Sequence, residues 1–285
     1  MSFVKLNEDH QSASSEVFLD TSVHYCFLKG PVKPRLNWLL RQFDWKGSST
    51  YSRLEYGNNI LSVAAWCLNK LNELGDVAAV IEHVNHVLNF QHVAKKTWAF
   101  TLLDTLAESK EDRTRLARAS LRRLLKLGSR AIDAHCDAPL EDGTECHWGT
   151  TGLKRLGSSA FVWNKPTCVS AKKACNLDGF FRKNRDLFLR IKAAIDGLDN
   201  AQRTPQLNDF SRVIGEANED PTILLNYKTG CKLLADAIIA VDGKDYRNIV
   251  TQNYKESQIL AKVLNQNCYN LPNNPEGGVE LQTAD

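Results

Sequence analysis

A chain of 285 residues with 43% hydrophobic and 24% charged side chains is long enough for one large domain, or for a domain carrying an insertion, and has the balance of a globular protein. No run approaches the roughly 18 apolar residues of a membrane span, and the opening MSFVKLNEDHQSASS lacks a signal-peptide core. A cytoplasmic protein with a short flexible N-terminus and no membrane partner is expected, and a net charge of +3 is too small to imply nucleic acid by itself.

In EVFLDTSVHYCF, Val17, Phe18 and Leu19 read as the end of a buried strand, and Asp20 follows at once. An unpaired charge buried there costs several kcal/mol, so this carboxylate needs a reason. Asp20 is either the N-cap of the next helix or one wall of a metal site, because parallel sheets place their chemistry at the carboxyl ends of strands.

The stretch SSTYSRLEYGNNILSVAAWCLNKLNELGD predicts a helix opened by Ser48, Ser49 or Thr50 and closed at Gly75. Leu54, Leu61, Ala65, Leu68 and Leu71 recur at helical spacing on one face, and Glu55 lies beside that face. From Asp76 to about Gly128 the pattern stays helical, with Val77, Ile81, Val84 and Leu88 as one stripe; His83, His86 and His92 read as surface histidines. Further on, Arg118, Arg122, Lys126 and Arg130 fall four apart, and Leu121, Leu124 and Leu125 give that helix a side to pack; Gly128 is placed to end it before Arg130. Such a face suits phosphates. Its plainer reading is a solvated face paired with Glu108, Glu111 or Asp112.

Residues 131–180 lose the rhythm and read as a loop-rich subdomain. Cys136, Cys146, His147, Cys168 and Cys175, with His135 nearby, include enough ligands for one tetrahedral structural Zn²⁺, which would stabilise a unit with little core. There is no CxxC pair, and unlinked cysteines in a packed loop are the alternative. Trp148, Phe161 and Trp163, mixed with Lys154, Arg155 and Lys165, fit either base stacking or the core of the insert. Cys26, Cys67 and Cys231 sit in apolar stretches and read as small buried hydrophobes.

FFRKNRDLFLRIKAAIDGLDN returns to helix, another helix follows Pro205, and DPTILLNYKTGCKLLADAIIAVDG reads as helical from Asp220 and Pro221. Asp236 lies among apolar neighbours there, with Lys232 as a nearby structural partner. NIVTQN predicts a short buried strand and YKESQILAKVLN a closing helix. The tail from 267 to 285 reads as loose unless it docks. Strands alternating with helices at both ends of the chain imply an α/β fold with a parallel sheet flanked by helices.

VFLDTSV, SRLEYGNNIL, LADAIIA and IVTQN resemble the four successive motifs of PIN-domain nucleases, in the order that family shows them. The resemblance implies a PIN-like domain over 15–75 and 181–266, a helical, cysteine-containing insertion over 76–180 and a flexible tail over 267–285. It also implies a metal-dependent endoribonuclease, with Asp20, Glu55 and Asp236 as ligands of Mg²⁺ or Mn²⁺ and Thr251 and Asn253 as the fourth motif, Asn253 completing the catalytic set. Hard cations want oxygen ligands and keep several waters, so a few converging carboxylates suffice. Asn253 carries one negative charge fewer than an acid there. The rivals are a DNA nuclease with the same site and a non-catalytic RNA-binding or regulatory module. An RNA substrate is the expected partner, with a second copy of the chain or an inhibitory protein as further candidates.

Overall fold

The computed structural model describes residues 16–28, 33–87, 96–97, 99–100, 102–103, 113–146, 152–157, 160–164, 175–271 and 280–283. Its centre is β1 (Glu16–Leu19), whose three apolar side chains are fully buried and alternate between the faces of a five-stranded sheet. The order is β2 (Trp45–Gly47), β1, β5 (Asn248–Thr251), β6 (Asn267–Asn270), β7 (Glu280–Gln282). The first four strands run parallel and β7 is antiparallel. Register aligns Phe18, Ile249 and Cys268 on one face, and Leu19, Val250 and Tyr269 on the other. The segment after 267, expected to be loose, therefore supplies an inner strand and an edge strand.

Helices cover both faces, as a parallel sheet requires. On the Leu19 face lie α1 (Thr21–Cys26) and α2 (Lys33–Leu40), packing Val23, Cys26, Leu36 and Leu39. On the Phe18 face lie α3 (Thr50–Tyr56), α8 (Leu177–Lys183), α9 (Arg185–Asp196), α10 (Pro205–Glu219), α11 (Ala235–Asp242) and α12 (Tyr254–Leu264). A separate helical core joins α4 (Ser62–Leu74), α5 (Val77–Val87), α6 (Arg113–Leu127) and α7 (Arg130–Asp133) to the β3 (Leu153–Leu156)–β4 (Ala160–Trp163) hairpin. Among the described residues no helix is long and apolar enough to cross a membrane.

Two expected helices are broken. The stretch from 50 to 74 contains a π-turn at Gly57–Leu61, so Leu54 faces the sheet core while Leu61, Leu68 and Leu71 face the helical core. One extra residue turns everything after it by about 100°, which is how one continuous helix serves two cores. The helical core thus begins at this turn rather than at residue 76, and α8 belongs to the sheet core. The stretch from 221 to 242 is likewise three pieces: a 3₁₀ turn at Pro221–Leu225, a second π-turn at Tyr227–Cys231, and α11. Extended backbone at Asn226 separates the first two, and Gly230 packs so closely that a Cβ there would stand 2.3 Å from the Ile223 carbonyl oxygen.

Gly57 matters for a similar reason. A Cβ at this position would fall 2.0 Å from Trp163 Cη2, and that indole contacts both the sheet and helical cores. Trp163 Nε1 also donates to Asn58 Oδ1 at 2.6 Å, fixing the ring. Gly57→Ala is expected to destabilise the protein by about 1–3 kcal/mol, as overpacking does. Thermal unfolding checks this: the midpoint should drop by several degrees, and an unchanged midpoint would show that Trp163 can move aside.

A histidine pair, one buried and one half-buried, ties the 130s loop to α1. Ser48 Oγ donates to the Leu19 carbonyl at 2.7 Å, which uses its one proton. His24 Nε2, 3.0 Å from Ser48 Oγ, must therefore be the donor. His24 Nδ1 is then left to accept from His135 Nδ1 at 3.1 Å. Burial holds His24 well below the usual imidazole range and His135 at about 4, so both stay neutral near pH 7.

Candidate metal centre at the carboxyl edge of the sheet

Asp20 leaves β1 where two of its neighbours end, and its two oxygens do different work. Oδ1 caps α1 by accepting from the Thr21 N–H at 2.7 Å. Oδ2 accepts from Ser22 Oγ at 2.5 Å and from Thr251 Oγ1, at the end of β5, at 2.9 Å. The cap reading is thus true of one oxygen, and the other faces the neighbouring strand end. Asp20 is only 5% exposed; burial raises its pKa, while these hydrogen bonds lower it.

Glu55 arrives from α3 and Asp236 from the first turn of α11, and these two helices pack together. Both side chains keep some solvent-facing surface. Burial, followed by the charges of Asp236 and Asp20, pushes Glu55 up to about 8. Burial, followed by the charge of Asp20, pushes Asp236 up to about 7. Each of the three acids therefore lies within electrostatic reach of the other two. Tyr25 is close by as well: burial raises its pKa, and so do the charges of Glu55, Asp20 and Asp236.

Neutral donors surround the cluster. Gln206 Nε2, from the start of α10, donates to Asp236 Oδ2 at 2.7 Å, and Asn253 Nδ2 donates to the same oxygen. Lys232, the structural partner considered for Asp236, is exposed and makes no ion pair with it among the described residues; its charge instead lowers Glu55. Thr21 Oγ1 lies near enough to Glu55 to lower its pKa, yet this hydroxyl is buried with no hydrogen-bond partner of normal geometry among the described residues. Among those residues, no three Asp, Glu, His or Cys side chains are already drawn into one ligand set.

The other expected site residues fall on several elements. Cys136, Cys146 and Cys175 are each half-buried, and the last two pack against the sheet core. His147 and Cys168 lie outside the described residues, as do Trp148, Lys165, Leu88, His92, Glu108, Glu111 and Asp112. Phe161 is a core residue of the helical unit. His83 stacks on Trp66, and exposed His86 sits 3.9 Å from Glu82. Arg118 does not share the solvent face of α6: it is half-buried, and its Nη2 donates to the Leu71 carbonyl near the end of α4 at 3.3 Å. Arg122, Lys126 and Arg130 are exposed, and Gly128, at φ +56°, ends α6 before Arg130 as expected. Gln206 and Glu256 near Asp236 were not anticipated; the only sequence signal was their position in the first turn of a helix.

Compared with protein families, curated proteins and solved structures, the chain gives no match.

Proposed function

We propose that this protein is a metal-dependent nuclease of PIN type that hydrolyses RNA phosphodiester bonds. The observation that carries the reading is that Asp20, Glu55 and Asp236, from three distant segments, lie within electrostatic reach of one another, with Asp20 at the edge where parallel β1 and β5 end. Buried acids that raise one another's pKa are costly unless a proton or a cation relieves them. The donor set is hard oxygen throughout, which suits Mg²⁺ or Mn²⁺, and the buried Thr21 hydroxyl stands beside Glu55 as one more oxygen. The fit is therefore good. Asp20, Glu55 and Asp236 would hold the ion, which supplies an activated water and charge stabilisation at phosphorus.

The chain's own residues prepare that site. Ser22 and Thr251 fix the Asp20 carboxylate, and Gln206 with Asn253 fixes that of Asp236. Incubation with labelled RNA and DNA pools tests the reading: RNA should be cut with Mn²⁺ and left intact with EDTA. Cleavage of DNA alone would transfer the site to a DNA nuclease, and binding without cleavage would make the protein an RNA-binding module.

RNA is held in this reading by the exposed residues Arg122, Lys126 and Arg130. Their joint conversion to Gln is expected to weaken binding of all sequences alike and to flatten the salt dependence by up to about 0.7 log unit per lost contact on a single strand. An unchanged salt slope would show a solvated face.

A further inference from the structure

The pair Asn253 and Glu256 opens α12 with a spacing that normally marks a capping box, in which the N-cap side chain takes the N3 amide and the acid reaches back to the N-cap N–H. Neither half forms here. The Asn253 side chain makes no cap, and its backbone N–H goes to Thr251 Oγ1 at 2.9 Å. Its amide instead donates to Asp236 Oδ2. Glu256 turns the other way, where its Oε1 accepts from Thr204 Oγ1 at 2.8 Å. It is 7% exposed and close enough to Asp236 for its charge to act there.

A buried carboxylate within electrostatic reach of another, with a neutral hydroxyl as its hydrogen-bond partner, calls for a reason beyond fastening two helices. The donors lie on defined atoms. Both Gln206 and Asn253 bind Asp236 Oδ2, so Asp236 Oδ1 carries neither of them.

We infer that Glu256 supplies the fourth negative charge of the cation site, the charge that an asparagine at position 253 withholds, while Asn253 serves as a hydrogen-bond donor that orients Asp236. This rests on the cation site proposed above. Asp20, Glu55, Asp236 and Glu256 would then face the bound ion together, with Glu256 acting from the α12 side of the cluster. Thr204, which caps α10 and also donates to Glu256, holds that carboxylate in place.

Calorimetric titration of Mn²⁺ into the purified full chain tests this without reference to activity. Glu256→Gln keeps an oxygen to accept from Thr204 and removes only the charge; it should weaken Mn²⁺ binding by about tenfold or more, as loss of a supporting carboxylate does. The double variant Asn253→Asp/Glu256→Gln returns the charge to the neighbouring position and should recover most of that affinity. Thr204→Val removes the tether and keeps the charge; it should lower the unfolding midpoint while costing far less Mn²⁺ affinity than Glu256→Gln. Unchanged affinity in Glu256→Gln, failure of the double variant to recover it, or an equal loss in Thr204→Val would each overturn the inference while leaving the three-acid site standing. Absence of Mn²⁺ binding by the wild-type chain would overturn the cation site and this inference with it.

Discussion

Asp236→Asn is expected to abolish RNA cleavage while leaving the fold intact. A cation contributes several kcal/mol of transition-state stabilisation, and at about 1.4 kcal/mol per factor of ten the loss of one of its ligands should reduce the rate by at least about a thousandfold. The fold should survive because Gln206 and Asn253 both donate to one oxygen of Asp236, and the single carbonyl oxygen of an asparagine can accept both. The substitution also removes a charge that Asp20 and Glu256 oppose. In metal-free protein above about pH 7 the unfolding midpoint should hold or rise, at roughly 2–4 °C per kcal/mol. Retained turnover in a folded Asp236→Asn protein would place the chemistry elsewhere.

The second large effect is on stability against pH. Glu55 at about 8 and Asp236 at about 7 both lie above the usual carboxyl values of 4.5 and 3.8. The folded state therefore holds these protons more tightly than the unfolded chain does, and the stability this confers is fully present below about pH 4. It is lost as pH rises through about 7 and 8, where both groups ionise in the folded state. The EDTA-treated protein should lose several degrees of unfolding midpoint between about pH 5 and pH 8.5 from these two groups. Added Mn²⁺ should restore them, most strongly at the alkaline end, because ion and protons compete for the same oxygens. Proton release on Mn²⁺ binding near pH 7, measured by calorimetry in buffers of different ionisation enthalpy, checks the same linkage. A metal-free midpoint flat across this range would show that the acids are not strained against one another.

Two of the three acids of the proposed site were legible because each breaks a local pattern, whereas Glu55 entered only through the family resemblance. Asp20 ends a run of core strand, and Asp236 interrupts an apolar helix. Such departures from burial rules are readable one segment at a time. Gln206 and Glu256 break no local rule, since polar residues are at home in the first turn of a helix; only the packing of α10 and α12 around Asp236 gives them meaning. The break at Gly57 was hidden for a different reason. A π-turn keeps the helix running and keeps apolar residues at plausible spacings, so the periodicity from Leu54 to Leu71 looks unbroken while its two parts serve different cores. Strand β6 was missed because two of its four residues are asparagines, although Cys268 and Tyr269 between them are buried on opposite faces of the sheet. Arg118 kept helical spacing with Arg122 and Lys126, yet a shift of face toward α4 put its guanidinium on a carbonyl rather than in solvent.

Whether Asp20, Glu55 and Asp236 jointly hold a divalent cation is decided by an anomalous difference map from crystals soaked in Mn²⁺. A manganese peak bounded by oxygens of these three carboxylates is expected. Manganese bound elsewhere, with the three acids bare at a saturating concentration, would contradict it.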